Sequence, residues 1–153
     1  MRAVIVEIIE TSGAYRVVGE AATGYEAIRL VHEVDPDVVT LDLEMPDLGG
    51  LDTLGYIMSE VPRPVVILSA HAAAAGEQTM SALDLGAVDF VPKPLEGEPG
   101  GVERMREQLL AALRAALTAR LSNLKVRLPG RGAGLASEGP AIGEAAEIVV
   151  AVA

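Results

Sequence analysis

VVTLDLEMPDLGG, residues 38–50, decides how the chain folds. Residues 38–41 are an apolar and β-branched run of strand length, long enough only for a short buried strand, and Asp42 closes it. Pro46 and the Gly49–Gly50 pair make the following stretch a loop. The same pattern recurs twice downstream. Residues 65–68 form an apolar run that stops at Ser69, and residues 88–91 read as a further strand that leads through Pro92 to Lys93. Helical stretches separate the runs: residues 51–60, then the Ala-rich residues 72–85 with Gly86 in the C′ position.

Upstream the alternation continues. Residues 17–22 read as a strand, and Thr23 with Glu26 forms an S/T-x-x-E capping box that starts a helix over 24–34. Asp35, Pro36 and Asp37 make a turn. The first segment, MRAVIVEIIETSG, has the β-branched content of a strand and the spacing of a helix. Met1, Ile5, Ile8, Ile9 and Ser12 share one face, so a helix stopped by Gly13 is favoured. Downstream, a long amphipathic helix over 102–124 carries the stripe Met105, Leu109, Leu113, Leu117 and Leu121. Strands alternating with helices predict a parallel sheet covered on both faces, with ligands beyond the carboxyl ends of the strands.

The composition agrees with one such domain and a tail. Of 153 residues, 50% are hydrophobic and only 3% aromatic, so the core must be aliphatic. A net charge of −10 leaves no basic footprint for nucleic acid and no attraction to an anionic membrane surface. The absence of cysteine excludes disulfide scaffolds, thiol catalysis and cysteine zinc sites. With no targeting segment and no membrane-spanning stretch, a cytoplasmic location is the default.

Beyond the long helix, residues 128–147 hold five glycines and two prolines without periodicity and read as a linker. EIVVAVA, residues 147–153, then forms an apolar strand, which suggests the start of a further domain.

Asp42, Ser69 and Lys93 stand at the ends of consecutive strands, so a parallel sheet brings them to one edge. A carboxylate, a hydroxyl and an ammonium together suit phosphoryl transfer. The carboxylate is the nucleophile, the ammonium neutralises phosphoryl oxygens, and the hydroxyl hydrogen-bonds one of them. Singly, each has a plainer reading: a turn aspartate, an N-capping serine, a solvated lysine.

VVTLDLEMPDLGGLDTL, PVVILSA and ALDLGAVDFVPKP resemble the receiver domain of two-component signalling. More narrowly they resemble the receiver of the chemotaxis protein-glutamate methylesterases (CheB type). The resemblance implies a flavodoxin-like (CheY-like) doubly wound α/β sheet over residues 1–124, then a flexible linker over 125–146. Residues 147–153 would be the first strand of an absent methylesterase catalytic domain.

By the same resemblance, Asp42 is the phosphoacceptor, Ser69 the switch hydroxyl, Lys93 the phosphoryl-binding lysine and Phe90 the aromatic whose rotamer tracks activation. Asp42 and the backbone carbonyl of Glu44 are ligands of Mg2+, and the Lys93–Pro94 bond is of a kind often cis. The implied partners are a chemotaxis histidine kinase and, through the absent catalytic domain, methyl-accepting chemoreceptors. The family's enzymes hydrolyse protein-glutamate methyl esters and deamidate glutamines with a Ser-His-Asp triad. No G-x-S-x-G element occurs here, and neither His32 nor His71 has a supporting pattern.

The chain departs from the family at its start, within the first helix. The expected first strand and the acidic pair that follows it have no counterpart, and Glu7 and Glu10 lie on the helix instead. This predicts a weak magnesium site and weakened phosphotransfer. It also predicts a vacancy at the centre of a sheet of order 2-1-3-4-5. Two segments could fill it, the closing apolar strand and residues 1–9 with their strand propensity, and the closing strand is the leading candidate. Two alternatives to a phosphorelay receiver are a phosphorylation-independent binding module, docking through residues 72–85 and 88–91, and an aspartate-nucleophile phosphatase, which Glu44 at the second acidic position disfavours.

Overall fold

Alternating elements run through the computed structural model, which describes residues 1–70, 76–126 and 145–151. In chain order these are α1 (Arg2–Thr11), β1 (Tyr15–Ala21), α2 (Gly24–Val34), β2 (Val38–Asp42), α3 (Gly50–Glu60), β3 (Val65–Ser69), α4 (Gly76–Asp84), β4 (Asp89–Pro92), α5 (Gly101–Val126) and β5 (Ala146–Ala151). The strands form one five-stranded sheet in the order β1-β5-β2-β3-β4, with every pairing parallel.

Local chemistry sets the boundaries. In α1, Ile5, Ile8 and Ile9 are buried on one face, so helical spacing outweighs the β-branched content. Gly13 follows with φ +71°, a conformation glycine adopts without steric cost. At the start of α2, the Glu26 amide donates to Thr23 Oγ1 at 3.2 Å. The Glu26 carboxylate accepts from the Ala22 amide at 2.8 Å, completing the expected box one residue earlier than the usual pattern.

Two aliphatic cores flank the sheet. Alternate residues of the central strands divide between them: Val66 and Leu68 go to one side, Val65 and Ile67 to the other. The first core holds Ile5 and Ile9 of α1 with Met105, Leu109 and Leu113 of α5. The second holds Ala27 and Val31 of α2, Leu54 and Ile57 of α3, and Ala82 of α4. Both faces being covered, every residue of β2 and β3 is buried.

The central position belongs to β5. It pairs with β1 from Tyr15↔Ala146 to Ala21↔Ala151 and with β2 from Val38↔Ile148 to Leu41↔Ala151. The order 2-1-3-4-5 is thus completed, with the C-terminal strand standing where the first strand of that order would be. The segment for which the resemblance implies the opening of another domain is, in this structure, part of the receiver sheet. The physical reason is the one that made the vacancy costly: β1 and β2 would otherwise each present an unpaired buried edge.

Other expectations shift by small amounts. β4 begins at Asp89, one residue later than expected, and α5 runs to Val126. The linker expected over 125–146 overlaps these ends of α5 and β5, and its remainder, 127–144, lies outside the described residues. So do 71–75, at the start of the Ala-rich helix expected over 72–85 and including His71. No cis peptide bond occurs among the described residues, so Lys93–Pro94 is trans, the isomer favoured for X–Pro bonds. No helix among the described residues is long and apolar enough to cross a membrane.

Candidate functional site at the carboxyl edge of the sheet

Register brings the three strand ends together. Asp42 pairs with Leu68, and Ser69 with Pro92, so Asp42, Ser69 and Lys93 lie on one edge. The ladder continues past the strands: the Leu43 amide donates to the Leu68 carbonyl at 3.2 Å, and the Lys93 amide to the Ser69 carbonyl at 2.7 Å. These bonds fix the backbone from which the three side chains project.

Lys93 Nζ donates to Asp42 Oδ2 at 2.8 Å, and the Glu44 amide donates to Asp42 Oδ1 at 2.9 Å. Both oxygens of a buried carboxylate are thereby satisfied, one by a charge and one by an amide. Ser69 is also buried, at 2% exposure. Phe90 on β4 is 41% exposed and stands at the surface rather than in the core.

Two further residues shape the site. Gly50 opens α3 against the Asp42 backbone, and its amide donates to the Leu43 carbonyl at 3.2 Å. A Cβ there would lie 2.3 Å from the Asp42 carbonyl oxygen and 2.5 Å from Leu43 Cα. Only glycine permits that approach. From the sequence Gly50 reads simply as a loop residue. The other is Asp37 at the opposite edge, which reads as a turn residue. It is 8% exposed, and its carboxylate accepts from the Glu147 amide at 2.9 Å. No local pattern signals that role.

The metal expectation does not fit the residues present. Magnesium is held by several oxygen ligands in near-octahedral geometry. Among the described residues no group of three or more His, Cys, Asp or Glu side chains could hold a metal ion. Asp42 is the buried carboxylate at this edge, and it is engaged by Lys93 and the Glu44 amide. On β5 the residue paired with Leu41 is Ala151, and Val152 and Ala153 follow in the sequence, none with a ligating side chain.

Comparison with known proteins points the same way as the geometry. The family model described as "Response regulator receiver domain" matches residues 1–99. A protein-glutamate methylesterase/protein-glutamine glutaminase of Symbiobacterium thermophilum is 44% identical over 119 residues, covering 78% of this chain and 33% of the relative. The corresponding protein of Pyrococcus abyssi is 41% identical over 116 residues, covering 76% of this chain and 32% of the relative. The crystal structure of the response regulator domain of Thermotoga maritima CheB superposes with a TM-score of 0.69 at 38% identity, covering 77% of this chain and 88% of that one. The chain spans about a third of the length of the curated relatives it matches.

Proposed function

The chain belongs to the response regulator receiver family, in its CheB-type branch, and we propose that it works in phosphorelay signalling with Asp42 as the phosphoacceptor. The observation that carries this reading is the Asp42–Lys93 contact at 2.8 Å on the edge that also holds Ser69. A carboxylate oxygen of Asp42 attacks the phosphorus of a phosphohistidine on a chemotaxis histidine kinase. The P–O bond to Asp42 forms, the P–N bond breaks, and the imidazole leaves with its electron pair and takes up a proton. The Lys93 ammonium neutralises charge on the phosphoryl oxygens, and the Ser69 hydroxyl donates a hydrogen bond to one of them. Phe90 changes rotamer with that state.

Receiver domains generally use Mg2+ for phosphorylation. The described residues of this edge do not form a site for it. Transfer to Asp42 is accordingly slow. The longer relatives are named protein-glutamate methylesterase/protein-glutamine glutaminase, and a receiver in such a protein would control methyl-ester hydrolysis on methyl-accepting chemoreceptors. This chain carries the regulatory part of that task, in the cytoplasm. It binds neither nucleic acid nor membrane lipid, in line with its net charge of −10.

The test is phosphotransfer from an autophosphorylated chemotaxis histidine kinase. Loss of kinase label with gain on this chain, absent in Asp42→Asn, is expected. A second reading, a phosphorylation-independent binding module, is favoured by one observation: both Asp42 oxygens already have partners. A folded chain that takes no label would make it the leading reading.

A further inference from the structure

The centre of the sheet is held by a strand that packing alone does not align. Ala146, Ile148 and Val150 are buried in the core shared by α1 and α5. Val152 continues the same alternation in the sequence, so a slip of two residues would present aliphatic side chains to the same face. Burial therefore favours strand insertion without choosing its register.

The register is chosen at the amino end of β5. The Glu147 amide donates to Asp37 Oδ2 at 2.9 Å, and the Asp37 amide donates to the Glu147 carbonyl at 2.8 Å. The Arg16 guanidinium of β1 pairs with the Glu147 carboxylate. One residue of the strand is thus gripped from both neighbours, through its backbone by the residue before β2 and through its side chain by β1. A slip by two would keep backbone bonds to Asp37 available but put a residue without an acidic side chain against Arg16.

The geometry points to a strand-binding slot between β1 and β2 that recognises a parallel segment of pattern acidic–aliphatic–any–aliphatic, read at Glu147, Ile148 and Val150, and holds residues 146–151 as a separable ligand. Arg16 is its register-setting residue, since it meets the Glu147 side chain, and Asp37 anchors the end of the strand through the backbone. Main-chain pairing on two sides, with Asp37 at the strand end, supplies the affinity, and the alternate pockets with the Arg16–Glu147 pair supply the selectivity. Any extended segment of the same pattern competes for the slot. The inference goes beyond the phosphoryl site and does not depend on Asp42 being modified.

The test uses the full chain with a site-specific protease site inserted within 127–144. After cutting, the C-terminal segment should stay with the body of the protein on gel filtration. A labelled synthetic peptide of residues 146–153 should then replace it on incubation. The same peptide carrying Ile148→Asp should not enter, and one carrying Glu147→Lys should enter about tenfold less well. Release of the segment on cutting, whether the remainder stays folded or unfolds, overturns the proposal. So does equal entry of the Ile148→Asp peptide. In the uncut chain, Asp37→Ala should speed amide exchange in β5 about tenfold more than in β3. Equal acceleration in both strands would remove Asp37 from the anchoring role.

Discussion

Lys93 Nζ lies 2.8 Å from Asp42 Oδ2, with the Asp42 side chain 2% exposed and that of Lys93 13%. Two charges this far from water stabilise the fold only as a pair. Lys93→Ala would leave the Asp42 carboxylate buried against an amide alone. The expected loss is about 3 kcal/mol in urea unfolding at neutral pH, since removing one partner of a buried pair strands the other. A loss below about 1 kcal/mol, the scale of an exposed pair, would mean that water already screens the contact.

Gly50 and Gly55 make a matched comparison within α3. At Gly50 an added methyl group meets the Asp42 carbonyl oxygen at 2.3 Å, and at Gly55 it meets nothing within 4 Å. Gly50→Ala should destabilise by about 3 kcal/mol, the scale of a severe core clash, and disturb Asp42. Gly55→Ala should stabilise by about 0.5–1 kcal/mol through helix propensity. Thermal melts of the two variants check both signs.

Tyr15 sets an alkaline limit. Its phenol is buried at the start of β1, and burial raises its pKa above the ordinary value of 10.0, with Arg114 partly opposing. In the unfolded chain the phenol ionises near 10.0, while in the fold it holds its proton to higher pH. Its contribution to stability is therefore complete below pH 10.0 and is lost as pH rises through the raised folded value. Unfolding free energies should fall in that window for the natural chain and fall less for Tyr15→Phe.

Magnesium should do little. A ligand that binds only the folded state raises its stability in proportion to the logarithm of saturation. With no metal-holding group of His, Cys, Asp or Glu among the described residues, added MgCl2 should shift the melting temperature no more than NaCl of equal ionic strength. A saturable rise specific to Mg2+ would show that the edge gathers ligands its residues do not display.

How far the sequence carried the reading depended on the distance over which each feature is encoded. The Thr23–Glu26 box is legible because its parts lie within one helical turn. The meeting of Asp42, Ser69 and Lys93 is legible because parallel topology turns three strand ends into one edge. α1 reads ambiguously, and only the burial of Ile5, Ile8 and Ile9 against the sheet resolves it. The role of Asp37 is invisible locally, since its partner Glu147 is 110 positions away. Gly50 looks like any loop glycine until the approach of α3 to Asp42 is known. The vacancy at the sheet centre and the apolar strand able to fill it are both readable, but the two-sided pairing of β5 is a tertiary fact.

The most direct test of the phosphoacceptor is peptide mass mapping of the folded chain after incubation with phosphoramidate, a small phosphoryl donor with the same P–N bond as phosphohistidine. One phosphoryl group on the peptide containing Asp42, missing from Asp42→Asn and reduced in Lys93→Ala, is the predicted result. A folded chain that stays unlabelled, or that carries its label on another peptide, would contradict phosphoacceptance by Asp42.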